Sequence, residues 1–189
     1  MKAVYLTIAS LIIGLTLQAQ AIPSLDKSIL DISYYPVNYP ILKVQNKVNT
    51  PPVARVIYSR PLKNGRTVYG ELVEFGEVWR LGANEATELE FFTDVSLGGR
   101  KISKGRYTMF CIPTPEKWTI MINRDTDSWG AFQYDPEKDI ARIDVKPEKQ
   151  ETPVEPFSMS FVEDSSGINL IIAWDDVKAI IPFSYQRSM

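Results

Sequence analysis

Histidine is absent from all 189 residues, and cysteine occurs once, at Cys111. Without histidine there can be no Ser-His-Asp or Cys-His catalysis and no histidine-ligated zinc. The side chain whose charge ordinarily changes near neutral pH is also missing. One thiol can build neither an internal disulfide nor a cysteine-ligated zinc or iron–sulfur centre, so the expectation is no metal and no cofactor. Cys111 lies in the apolar run Met109-Phe110-Cys111-Ile112. With no base to activate it, it reads as a small buried hydrophobe rather than a nucleophile.

An excess of positive charge is lacking as well: 21 basic residues face 23 acidic ones, a formal net charge of −2. Such a chain has no electrostatic footprint for nucleic acid, and none is expected as a partner. Long apolar runs are almost absent. The exception is Ala3 to Leu17, which follows Met1-Lys2 and precedes Gln18-Ala19-Gln20-Ala21. A basic start, a short apolar core and an A-x-A signal make residues 1–21 a cleavable signal peptide. The run is shorter than the roughly 20 residues a spanning helix needs, so no stable membrane insertion is expected after its removal. The expected location is periplasmic or secreted; the oligomeric state is not legible in the sequence.

Helical periodicity is missing too. No segment carries a long i, i+3, i+4 apolar stripe, and the sequence allows at most a helical turn near Leu72 to Phe75 or Trp129 to Tyr134. Residues 22–52 hold Pro23, Pro36, Pro40, Pro51 and Pro52 without a clean period and read as an extended proline-containing lead-in. From Val53 onward, short β-rich runs alternate with turn signals such as Asn64-Gly65 and Gly98-Gly99. The runs are Val53 to Ser59, Thr67 to Tyr69, Glu88 to Thr93, Val95 to Leu97, Tyr107 to Ile112, Trp118 to Asn123 and Ile140 to Val145. After them come Phe157 to Phe161, Ile168 to Trp174 and Lys178 to Phe183. Phe157-Ser158-Met159-Ser160-Phe161 alternates as a half-buried strand does. Residues 53–189 are therefore expected to form one all-β domain, an antiparallel β-sandwich of jelly-roll or Greek-key type with about nine or ten strands.

The densest polar segment is Gly76-Glu77-Val78-Trp79-Arg80-Leu81-Gly82-Ala83-Asn84-Glu85-Ala86-Thr87. In an extended stretch Glu77, Trp79 and Leu81 would face one way and Val78 and Arg80 the other, with a turn near Gly82 and Asn84. Together with Ser59-Arg60-Pro61, Gly105-Arg106-Tyr107 and Asn123-Arg124-Asp125-Thr126-Asp127-Ser128-Trp129-Gly130, the segment resembles domain-of-unknown-function family 2911, exported proteins of Gram-negative bacteria. The resemblance runs from about Val53 to Phe183 and implies an exported β-rich domain. It brings no activity and no catalytic residues.

Two readings of the segment stand side by side. Glu77, Trp79, Arg80, Asn84, Glu85 and Thr87 could bind a small polar ligand or glycan, the indole giving a face to stack on and the polar groups a set of donors and acceptors. Alternatively, Arg80 pairs with Glu85 or Glu77 and Asn84 ties a turn, so that the cluster is a buried network. Glu77 and Glu85 also raise a carboxylate-based, glycosidase-like hydrolase, which would need them to face each other across a cleft. Asn123 to Gly130 spaces its oxygens like a calcium loop. It lacks glycine at the sixth place (Ser128) and glutamate at the twelfth (Tyr134), so a solvated turn is expected there, as at Asp135 to Asp139. The preferred function is a non-enzymatic exported sandwich that binds a small polar ligand, a glycan or another envelope component; a purely structural or interaction domain is a third reading.

Overall fold

The computed structural model describes residues 24–186. The expected signal peptide, residues 1–21, lies outside them. In chain order the strands are Leu30–Tyr35 (β1), Ala54–Ser59 (β2), Glu88–Phe91 (β3), Val95–Leu97 (β4), Arg100–Ile102 (β5) and Gly105–Pro113 (β6). Trp118–Asn123 (β7), Asp139–Val145 (β8), Glu148–Asp164 (β9) and Gly167–Ser184 (β10) follow. They form two antiparallel sheets, one ordered β1-β2-β3-β6-β7-β8 and the other β5-β4-β10-β9. The expected all-β sandwich is the fold observed. Among the described residues no helix is long and apolar enough to cross a membrane.

Period-two patterning explains how the sheets stack. Ala54, Val56 and Tyr58 of β2, Leu89 and Phe91 of β3, and Trp118, Ile120 and Ile122 of β7 turn inward to meet Phe157, Phe161, Leu170, Ile172 and Trp174 from the second sheet. In β6 the alternation serves two cores. Met109 and Cys111 enter the main one, while Phe110 points to the opposite face and packs with Ala86 and Met121 under Val78 and Tyr134. Cys111 is fully buried, and that burial pushes its thiol pKa well up, so it is a packing group as expected.

The folded unit begins before Val53. β1 pairs with β2 from Leu30 opposite Ser59 to Tyr35 opposite Ala54, making the lead-in the edge strand of the larger sheet. A short helix, Tyr39–Val44 (α1), then leads to β2. Arg60 fixes this edge: it bonds Asp31 at 2.9 Å, the Phe157 carbonyl at 3.2 Å and the Ser158 hydroxyl at 2.9 Å, tying β1 to β9 across the sandwich. Tyr58 adds a bond from its hydroxyl to the Met159 carbonyl at 3.2 Å. The prolines hid the strand because a strand at a sheet edge tolerates a flanking proline that a central one would not.

Three local expectations change. Ile168 to Trp174 and Lys178 to Phe183 are one long strand, β10, with register shifts around Asp175, whose φ is 54°. That bulge absorbs the polar Asp175-Asp176 step that reads as a break in sequence. Thr67 to Tyr69 is no strand: Tyr69 makes only an isolated bridge to Val73, within a loop closed by its own backbone bonds. The helical turns suggested at Leu72 to Phe75 and Trp129 to Tyr134 are non-helical; among the described residues helix forms instead at α1, inside the lead-in read as extended, with Pro40 in its first turn, and as a 3-10 turn at Pro136–Lys138, capped by Asp135.

Candidate functional site

The segment from Gly76 to Thr87 docks on the far end of β6. The Gly76 N–H donates to the Pro113 carbonyl at 2.9 Å, and Trp79 exchanges backbone bonds with Cys111 at 2.7 and 2.9 Å. The chain then turns sharply, with Leu81 at φ 57°, Gly82 at 145° and Asn84 at 58°. Gly82 is required there, because a Cβ would stand 3.0 Å from the Ser59 carbonyl oxygen in a backbone conformation side chains disfavour. The turn is closed by backbone and hydroxyl groups. The Thr87 N–H donates to the Arg80 carbonyl at 3.1 Å, the Thr87 hydroxyl to the Leu81 carbonyl at 2.5 Å, and the Trp79 indole N–H to the Gly82 carbonyl at 3.3 Å.

The six candidate residues therefore separate. Trp79 is 8 % exposed and stacks on Trp174 with ring centres 6.2 Å apart, with Trp118 and Phe157 edge-on around it, so its indole is core rather than an open platform. Thr87 is buried as well. The alternation places Trp79 and Leu81 inward and Val78 on the other side, as expected, while Glu77 is exposed. The expected pairing of Arg80 with Glu77 or Glu85 is corrected: among the described residues no carboxylate bonds Arg80, and its buried Nε has no acceptor. Burial alone draws its pKa below the usual arginine value. Both glutamates stay in water because the turn is satisfied by backbone groups and asks for no side-chain charge.

Asn84 and Glu85, at the tip of the turn, meet the loop that follows β7. The Gly130 N–H donates to the Asn84 carbonyl at 2.9 Å, the Ala86 N–H to the Ser128 carbonyl at 2.9 Å, and Glu85 forms an isolated antiparallel bridge with Trp129. Trp129 is 61 % exposed, whereas Trp79, Trp118 and Trp174 are buried. Asn84, Glu85 and Trp129 form one wall of a groove of about 360 Å³, and the stretch leading into β1 supplies the other, with Leu25, Asp26, Ile29 and Leu30. Glu77 is outside this groove, so the carboxylate pair of the hydrolase reading does not face across it.

The calcium-like loop is held by side-chain bonds. Asn123 donates to the Asp135 carbonyl and to Asp139 at 2.9 and 2.8 Å, Asp125 pairs with Lys138 at 2.6 Å and Asp127 with Arg106 at 2.6 Å. Tyr134 donates to Asp139 at 2.6 Å; burial first and that carboxylate second push its pKa up to about 12. Among the described residues no group of three or more His, Cys, Asp or Glu side chains is placed to hold a metal ion. A wider cavity of about 1040 Å³ opens where β4 and β10 share a single pair, Ser96 with Ser184, and contains none of the six candidates.

A family model described as a protein of unknown function (DUF2911) matches residues 40–183. The chain belongs to the DUF2911 family. The DUF2911 match takes in Asn84, Glu85 and Trp129 but starts after β1, so the Leu25 to Leu30 wall of the groove lies outside it. No curated protein and no solved structure matches the chain. In the sequence, Trp129 falls in a segment that reads as a solvated turn and Asp26 in the proline-containing lead-in. Only the exposure of an indole distinguishes a binding aromatic from a core one, and four tryptophans look alike in a sequence.

Proposed function

We propose that this DUF2911 protein is an exported, non-enzymatic β-sandwich that holds a small polar ligand, such as a sugar ring of a glycan or another envelope component, in the groove beside Trp129. One observation carries the reading: the single exposed indole stands beside an amide and a carboxylate in a groove sized for a small ligand. A flat apolar face flanked by fixed hydrogen-bonding groups suits a pyranose, whose C–H faces are apolar and whose rim is polar. One wall is tied by backbone bonds to the loop after β7, and the other, residues 25–30, runs into the paired strand β1. Export is supported by the leader-like residues 1–21.

Tryptophan emission tests the site directly, because the three other indoles are buried. Titration with a panel of mono- and oligosaccharides should shift or quench the emission of the wild type in a saturable way. Trp129→Ala should remove the response, and Trp129→Phe should keep part of it. A saturable response that survives in Trp129→Ala rejects the site, and silence across the panel rejects the sugar.

A further inference from the structure

The charges around the groove say more about what it holds. Asp26 and Glu85 line it, and no lysine or arginine does. The nearest cations along the chain, Lys27 and Arg80, are not lining residues. Among the described residues neither Asp26 nor Glu85 is in an ion pair, whereas Asp94, Asp125, Asp127, Asp139 and Asp144 all face a lysine or arginine within 2.8 Å. The other lining groups are the Trp129 indole, the aliphatic Leu25, Ile29 and Leu30, and two neutral polar residues, Ser28 and Asn84. An anion would meet two like charges here, and a neutral sugar could use the carboxylates as hydrogen-bond acceptors but would gain none of the net charge attraction open to a cation. A metal ion would lack ligands, since among the described residues no three His, Cys, Asp or Glu side chains converge.

We infer that the ligand of this groove is an organic ammonium, a protonated or quaternary amine carried on a compact sugar or alkyl body. The inference rests on the reading of the groove as a binding site. An exposed indole attracts a cation over its face through the ring quadrupole, and two exposed carboxylates that face no lysine or arginine among the described residues add negative charge, although Asp26 Oδ1 already accepts the Ser28 N–H at 2.6 Å. The aliphatic wall takes the body of the ligand, and the Asn84 side of the groove offers the polar rim.

Two probes of one chemistry separate its sources: glucosamine for an amino sugar and choline for a quaternary head group, with N-acetylglucosamine as the neutral control. Binding to the purified protein is read by calorimetry and tryptophan emission in low-salt buffer near pH 6.5. At least one ammonium probe should bind about tenfold or more tighter than N-acetylglucosamine and weaken with added salt. Glu85→Gln and Asp26→Asn should each weaken it by about three- to tenfold while leaving the melting temperature unchanged. Equal affinity for glucosamine and N-acetylglucosamine, with both variants silent, overturns the charge inference and leaves the groove standing. Unchanged affinity in Trp129→Ala overturns the groove itself, and failure of both ammonium probes to bind overturns the ammonium inference.

Discussion

Two arginines of the sequence, Arg60 and Arg80, should respond in opposite ways to removal. Arg60→Ala breaks an ion pair to Asp31 and bonds to the Phe157 carbonyl and the Ser158 hydroxyl, the contacts that hold β1 and β2 against β9. At about 1 kcal/mol net for each bond, and with a discount because both charged partners are about a third exposed, the loss comes to about 2–3 kcal/mol. For a domain of this size that lowers the melting temperature by about 5–10 °C. Arg80→Met keeps an aliphatic stem and removes a buried Nε that bonds nothing. Deleting an unsatisfied buried donor loses no interaction, so the change should lie between neutral and about 1 kcal/mol of added stability. Thermal and urea unfolding of the wild type and both variants, with equal urea slopes as the check on two-state behaviour, measure the difference. If Arg80→Met falls as far as Arg60→Ala, then Arg80 has a partner the contacts do not reveal and the assignment of structural roles is wrong.

Two further outcomes follow from the same contacts. Gly82→Ala should cost more than about 1 kcal/mol, because a side chain must enter a strained backbone region 3.0 Å from the Ser59 carbonyl; Gly65→Ala, with open space around it, measures the backbone effect alone. Stability should be flat between about pH 6 and 9, since no histidine titrates there, and should fall at both ends. On the acid side Asp94, Asp127, Asp144 and Asp164 have lowered pKa values, Asp94 chiefly through its bond from Lys101, Asp127 through Thr126 and Arg106, Asp144 through Lys117 and Thr119, and Asp164 through Ser166. Their contribution is full above the unfolded carboxylate pKa near 4 and disappears as the pH drops through the lower folded values. On the alkaline side Tyr134, raised to about 12, holds its proton more tightly when folded, so stability declines from about pH 10 upward. A melting temperature that peaks sharply near pH 7 would contradict this account.

The sequence by itself determined the architecture and the chemistry that could not occur. Period-two alternation is a local property, so runs such as Phe157 to Phe161 announced their buried face before any partner was known. The absence of histidine and the single cysteine bounded the chemistry in the same direct way. Strand limits were less legible. β1 was obscured by nearby prolines, and the two halves of β10 were joined only by a bulge at Asp175, a geometry that depends on pairing with β9. What the tertiary structure alone decided was which members of one polar cluster meet solvent. Trp79 and Trp129 are the same residue type in equally polar stretches, yet the first packs on Trp174 and the second stands in the open. Arg60 and Arg80 differ likewise, because whether a guanidinium finds a carboxylate depends on strands far apart in the chain. Exposure and pairing are properties of the closed sandwich: they are set by residues about 100 positions away, such as Phe157 and Ser158 for Arg60, and no local pattern encodes them.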